Sequence, residues 1–274
     1  MRVHAIRTGS VQVRSRQVEA THSGLRRRLD PLLDREWTEP MPILAWAIEH
    51  PDGVVVVDTG ETARVQEPGY FPRWHPYFHL AVRFDVTPGD EIGPRLRALG
   101  IAPEDVRTVV VTHLHTDHAG GLQHFPRSRV LVSAAELAVA EGLRGRLGGY
   151  LPHRRPPWLA PVPLPLTPAE AVEPFEEGAV VADGVRAVAT PGHTPGHVSV
   201  LVEGDPPLVL AGDVSYTLDT MLRQRLDGVA PDDTVARATL ARMHAYVERT
   251  GAVYLPSHDP ESPSRLAAAR QASR

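Results

Sequence analysis

Short apolar or alternating runs dominate the chain. Val3–Arg7, Ile43–Glu49, Val54–Asp58, Val109–Thr112, Val130–Val132, Val185–Ala189, Val198–Val202 and Leu208–Ala211 have the length and β-branched content of strands, and most end at turn residues. A helical period appears instead over Glu91–Leu99, Ser133–Leu143 and Asp232–Arg249, and in the second of these Ser133 followed by Glu136 has the spacing of a capping box. Strands followed by helix, twice over, predict an α/β fold whose sheets are covered by helices. The most economical form is a four-layer αββα sandwich in which each half contributes a sheet and its flanking helices. A length of 274 residues is enough for a sizeable core, and a single domain spanning residues 1–274 is the expectation.

Two stretches depart from these periods. Glu67–Arg83 carries Tyr70, Phe71, Trp74, Tyr77 and Phe78 in a chain that is only 5% aromatic. Such a cluster fits either a satellite core under a long loop or the wall of a substrate pocket. Tyr150–Pro168 is rich in proline and predicts an extended connection without helix, placed at the seam between the two halves.

Composition narrows the chemistry. Hydrophobic residues at 42% and charged residues at 23% are those of an ordinary globular protein. A net charge of −4 gives no field that would draw the chain to nucleic acid or to an anionic membrane, so a small molecule is the expected partner. All 29 basic residues are arginine, which removes lysine Schiff-base and general-base chemistry. With no cysteine, a transition-metal site must be built from histidine and carboxylate. Met1–Arg28 has no apolar core of a signal peptide, and no run approaches the length of a membrane span, so a cytoplasmic location is expected.

The sharpest feature is the run Thr112-His113-Leu114-His115-Thr116-Asp117-His118-Ala119-Gly120-Gly121, directly after Val109–Val111. In extended backbone His113 and His115 project to one side and can share a metal. Asp117 and His118, where the chain turns toward the two glycines, can be aimed at a second ion nearby. Three further ligand-type residues each sit just beyond a predicted strand. They are His193 in Thr190-Pro191-Gly192-His193-Thr194-Pro195-Gly196-His197, Asp213 after Leu208–Gly212, and His258 after Val253–Pro256. The remaining histidines read as structural or surface residues, with His197 a support for the His193 turn.

This pattern, His-x-His-x-Asp-His followed in order by His, Asp and His, resembles the metallo-β-lactamase superfamily over nearly the whole chain. The earlier run Val54-Val55-Val56-Val57-Asp58-Thr59-Gly60 is similar to that family's first strand ending in Asp-Thr-Gly, whose Asp supports the metal-binding loops. The resemblance implies that His113, His115 and His193 hold one metal, that Asp117, His118 and His258 hold a second, and that Asp213 bridges them. Two divalent ions are implied, zinc first, with iron, manganese or cobalt left open. Such a pair can lower the pKa of a shared water from about 15.7 toward about 7, and hydrolysis at a carbonyl is then the reaction class.

Gly212-Asp213-Val214-Ser215-Tyr216 and Ser257-His258-Asp259-Pro260 look like the N-acyl homoserine lactonases. The resemblance gives Tyr216 a place at the substrate carbonyl, where it donates to the developing oxyanion, and gives Asp117 the proton shuttle to the leaving group. It also implies a homodimer. Opening of a lactone ring, N-acyl homoserine lactones first, is therefore expected. The alternatives are a glyoxalase II-like thioester hydrolase and a catalytically silent ligand-binding member of the fold.

Overall fold

A computed structural model of the chain describes residues 1–164, 166, 175 and 178–272. The backbone forms two compact units, Met1–Val13 with Thr38–Leu164 and Arg14–Trp37 with Pro165–Arg274. Their boundary at Leu164 falls inside the proline-rich stretch expected at the seam.

The first unit contains β1 (Arg2–Val13), β2 (Met41–Glu49), β3 (Val54–Val57), β4 (Val82–Asp85), β5 (Val106–Val110), β6 (Arg129–Ser133) and β7 (Val162–Leu164). They form one sheet in the order β4-β1-β2-β3-β5-β6-β7. Every residue of β2 before Glu49 is buried, so both faces of this strand are covered and its apolar run has no reason to alternate. Ile92 and Leu96, one turn apart on the helix Ile92–Ala98, pack into the same core as Val56, Val109 and Phe125.

Strand β1 extends beyond the expected Val3–Arg7. Its register with β2 shifts between Arg7 and Ser10, and Gly9 in the shift has φ +120°. A Cβ at Gly9 would meet Val86 Cγ2 at 2.7 Å, so only glycine lets the strand bulge and continue here. The expected strand Val109–Thr112 is also displaced, because β5 ends at Val110. The Thr112 amide leaves the sheet to bond a carboxylate oxygen of Asp58 at 2.8 Å.

Ser133 does precede a helix, but that helix is Ala134–Ala140 and makes no side-chain cap bond. A second short helix, Leu143–Leu147, follows after Gly142. The proline-rich stretch carries one 3-10 turn, Pro152–Arg154, where proline at the first position forfeits no hydrogen bond, and the edge strand β7. Residues 165, 167 and 168 of that stretch lie outside the described residues. The aromatic segment divides in two. Phe71 stacks on Phe78 at 4.4 Å and lies 5.9 Å from Phe84 of β4, a satellite core, while Tyr70 and Trp74 line a cavity.

The second unit contains β8 (Ala179–Ala182), β9 (Val185–Ala189), β10 (Val198–Val202), β11 (Leu208–Gly212) and β12 (Val253–Pro256), in the sheet order β12-β11-β10-β9-β8. Its main helix is Asp233–Thr250. The Asp232 carboxylate accepts from the amides of Thr234 and Val235, a cap worth about 1 kcal/mol. Ala236, Leu240 and Met243 fall on one buried face at helical spacing, and Gly251 at φ 65° ends the helix.

The two sheets share a topological detail that positions the chemistry. In the first, β2 and β3 are antiparallel and the chain then crosses over to β5, parallel to β3 with Val57 opposite Val110. In the second, β10 and β11 are antiparallel and the helix Asp233–Thr250 leads to β12, parallel to β11 with Gly212 opposite Pro256. The carboxyl ends of neighbouring parallel strands therefore present Asp58 beside Thr112 in one unit and Asp213 beside Ser257 and His258 in the other. This is where α/β sheets place their ligand-binding residues. No helix among the described residues is long and apolar enough to cross a membrane.

Candidate metal centre

In the first unit the histidine loop is strapped down by the Asp58-Thr59-Gly60 turn. The Asp58 carboxylate accepts from the Thr112 amide at 2.8 Å and the Thr112 hydroxyl at 2.9 Å, and its second oxygen lies 2.9 Å from His118 Nδ1. Asp58 itself takes φ 59°, a left-handed conformation that these bonds compensate. With Nδ1–H donated to the carboxylate, the lone pair of His118 is left on Nε2, the arrangement of a metal ligand oriented from behind. Thr59 donates its amide and hydroxyl to the His118 carbonyl at 2.8 and 3.0 Å. Gly120 and Gly121 admit this close approach, since a Cβ at Gly121 would lie 2.2 Å from the Thr59 carbonyl oxygen.

Two buried carboxyls fix the rest of the loop. Glu136 accepts from the Leu114 amide at 2.9 Å, so the residue that the sequence offered as half of a capping box instead anchors the turn between His113 and His115. Glu61 accepts from the Thr116 hydroxyl and from the Thr62 amide, and burial pushes its carboxyl up to about 8. His113 Nε2 faces His115 Nδ1 at 3.0 Å, and His115 Nε2 lies 3.2 Å from the Gly148 carbonyl. The ligand atoms of Asp117 and His118 are within 4.8 Å of each other. This unit thus gathers His113, His115, Asp117 and His118.

The second unit gathers His193, Asp213, His258 and Tyr216. Asp213 Oδ2 lies 3.5 Å from His193 Nε2 and 3.4 Å from His258 Nε2. The Asp213 amide donates to His197 Nε2 at 2.9 Å, and His197 Nδ1 meets Thr190 Oγ1 at 2.8 Å. His197 therefore supports both the His193 turn and the strand end that carries Asp213. The Tyr216 ring stacks on His258 at 5.4 Å and 28°, and its hydroxyl accepts from Gln17 Nε2 at 2.9 Å.

Asp227 orients His193, bonding Nδ1 at 2.9 Å. Burial alone would raise the Asp227 carboxyl, but the His193 imidazole and the amides of Ala230 and Val229 together hold it below the usual carboxylate range. The fully buried Arg27 secures that loop, donating to the carbonyls of Asp227 and Ala230 and to the Asp233 carboxylate. None of Asp227, Arg27, Gln17 and Glu61 stood out in the sequence. Asp227-Gly228 reads as an ordinary turn, and Arg27 is one of 29 arginines.

The donor geometry suits divalent ions in each unit. Two imidazole nitrogens bound to one tetrahedral zinc lie roughly 3.3 Å apart, which His113 and His115 approach at 3.0 Å. A carboxylate oxygen 3.4–3.5 Å from two imidazole nitrogens is placed to share cations with both. Away from these groups His4, His22 and His124 pair with Glu49, Asp30 and Glu91, as structural histidines do.

A profile of the metallo-beta-lactamase superfamily matches residues 38–258. The chain belongs to that superfamily. It is 32% identical over 230 residues to the N-acyl homoserine lactonase AttM of Azorhizobium caulinodans, a match covering 81% of this chain and 83% of the relative. A solved structure of an N-acyl homoserine lactone hydrolase, with the product N-hexanoyl-L-homoserine bound at its catalytic metal centre, superposes with a TM-score of 0.75 at 22% identity. That match covers 96% of this chain and 94% of the other. AidC, a dizinc quorum-quenching lactonase, gives a TM-score of 0.64 at 16% identity over 94% of this chain and 87% of its own. The fold is thus the metallo-β-lactamase fold expected from the sequence, with two sheets flanked by helices.

Because Asp227 bonds the ring nitrogen of His193 that faces away from Asp213, Asp227→Asn is expected to weaken metal binding by about 10–100-fold while the chain stays folded. Competition with a chromogenic chelator measures this. An unchanged affinity would remove Asp227 from the ligand-orienting role.

Proposed function

We propose that the chain is a dinuclear metal-dependent hydrolase that opens the lactone ring of N-acyl homoserine lactones. Tyr216 carries this reading, for a phenol stacked on His258 and gripped by Gln17 is a fixed hydrogen-bond donor beside a carboxylate and two imidazoles. The likeness to AttM over 81% of the chain supports the substrate class. In this reading all seven ligand-type residues would serve one pair of ions, and residues 1–274 act as a single functional domain. His113, His115 and His193 would hold the first and Asp117, His118 and His258 the second, with the Asp213 carboxylate available to both. Zinc suits a set of imidazoles and carboxylates, and AidC is a dizinc enzyme.

Two divalent ions bound there would supply Lewis acidity toward the lactone carbonyl and make water acidic enough to attack at neutral pH. The side chains do the rest. The Tyr216 hydroxyl donates to the carbonyl oxygen as negative charge gathers on it. Asp117, half-buried at the start of the short helix Thr116–Ala119, accepts the proton of the attacking water. It returns that proton to the ring oxygen as the carbon–oxygen bond breaks, so the ring opens to a free hydroxyl and a carboxylic acid, which gives up its remaining proton to water at neutral pH.

The test is turnover by protein of measured metal content. The substrates are a short-chain and a long-chain N-acyl homoserine lactone, a simple γ-lactone, S-lactoylglutathione and a chromogenic β-lactam. Preferential opening of the acyl homoserine lactones is expected. Preference for the thioester would move the chain to the glyoxalase II-like reading, and metal-loaded protein that turned over none of them would defeat the lactonase reading.

A further inference from the structure

The first unit contains a cavity of about 610 Å³, a size typical of small-ligand sites. Tyr70, Trp74 and Tyr150 give it aromatic walls, and Arg146, His153 and Arg154 supply its ionisable groups. No carboxylate is among its lining residues. It adjoins the metal-ligand loop, because the Tyr150 ring lies 5.1 Å from the His115 ring and His115 bonds the Gly148 carbonyl two residues before Tyr150.

The two guanidinium groups differ in how firmly they are held. Arg154 is fixed in place, donating to the carbonyls of Tyr70 at 3.0 Å and Gly69 at 2.8 Å with its guanidinium 4.5 Å over the Tyr70 ring. Arg146 is exposed and its guanidinium has no hydrogen-bond or ionic partner among the described residues. His153 adds a neutral imidazole at pH 7, since burial and then the charges of Arg154 and Arg146 hold it below the usual histidine range.

We propose that this cavity receives the acyl substituent of the lactone, and that Arg146 and Arg154 make it select substituents ending in a carboxylate. The proposal rests on the lactonase reading for its substrate. An alkyl chain gains by covering the aromatic walls, but a purely apolar end would strip water from guanidinium groups that no carboxylate pairs with among the described residues. A terminal carboxylate replaces that water with charge-assisted hydrogen bonds in the geometry arginine favours.

Two measurements test it. The first compares kcat/KM for N-octanoyl-L-homoserine lactone and for its analogue of equal length ending in a carboxylate, N-(7-carboxyheptanoyl)-L-homoserine lactone. The carboxylated substrate is expected to be preferred by at least about tenfold, and in Arg146→Gln the ratio should fall to within about twofold. The second needs no turnover. Trp74 is 58% exposed, and 8-amino-8-oxooctanoic acid, which has the carboxylate tail but no lactone, should quench its fluorescence saturably. Arg146→Gln should weaken that binding, and Trp74→Phe should abolish the signal. Equal rates on both lactones with no saturable quenching would overturn the proposal and leave the lactonase reading intact. Saturable, Arg146-dependent quenching in a protein that opens no lactone would keep the carboxylate cavity and overturn its assignment to a lactone substituent.

Discussion

Asp213→Ala is expected to strip the protein of bound metal and to lower lactone hydrolysis by at least about 10³-fold, a loss of about 4 kcal/mol of transition-state stabilisation. The reason lies in the position of one oxygen. Asp213 Oδ2 sits 3.5 Å from the ring nitrogen of His193 and 3.4 Å from that of His258, so in the proposed centre its negative charge would stand beside both imidazoles. Removing it leaves neutral imidazoles to hold a doubly charged ion without the anion between them. The fold should survive, because the bond from residue 213 to His197 is made by the backbone amide and persists in alanine. Metal content by atomic emission, far-ultraviolet circular dichroism and kcat/KM on one preparation separate loss of site from loss of fold. Asp213→Asn, which keeps the shape and removes the charge, should fall between the two proteins. A variant that kept its full metal complement would show that Asp213 is not a ligand.

What the sequence disclosed depended on how local each interaction is. The loop His113–His118 was legible because four ligand-type side chains lie within six positions and their spacing alone brings them together. Asp213 and His258 were legible because each follows a strand whose apolar run is unmistakable, and the strand end fixes where the side chain emerges. The helix Asp233–Thr250 was legible from its helical period, and the Asp232 carboxylate proves to cap it by bonding amides two and three residues ahead. The residues that bond these side chains from behind were hidden for the opposite reason. His193 and Asp227 are 34 positions apart, Gln17 and Tyr216 are 199 apart, and Arg27 and Asp227 are 200 apart. Nothing in an aspartate before a glycine, or in one arginine among many, says which backbone will fold against it.

Glu136 shows how a local signal can be outbid. Three residues after Ser133 it has the right place for a capping box, yet the carboxylate is fully buried and bonds the Leu114 amide across the unit. An exposed glutamate gains little from a cap. The Leu114 amide, by contrast, lies in a buried loop where an unmet donor is costly, about 1–3 kcal/mol. The second half of β1 was missed for a related reason. Thr8-Gly9-Ser10 breaks the apolar pattern, and only the register shift against β2 and the contact with Val86 explain why a polar, glycine-containing run stays in the sheet.

Tyr216→Phe is expected to lower kcat on N-acyl homoserine lactones by about 10²–10³-fold, with metal content unchanged and KM moved by a few-fold at most. The phenylalanine ring can keep the stack on His258, so the histidine stays where it is and the change isolates the hydroxyl. That hydroxyl accepts from the Gln17 amide nitrogen at 2.9 Å. An amide N–H cannot accept a proton, so the phenol must donate its own elsewhere, and the bond to Gln17 sets the direction in which it does so. A donor held this way needs no reorganisation when charge develops on the carbonyl oxygen, which is why it acts on kcat more than on KM. Gln17→Leu should therefore lower kcat less than Tyr216→Phe does. In the double variant the two effects should not add, because removing the hydroxyl leaves Gln17 nothing to orient. Additive losses would make Gln17 an independent packing residue, and unchanged turnover in Tyr216→Phe would assign the tyrosine to anchoring its loop against His258.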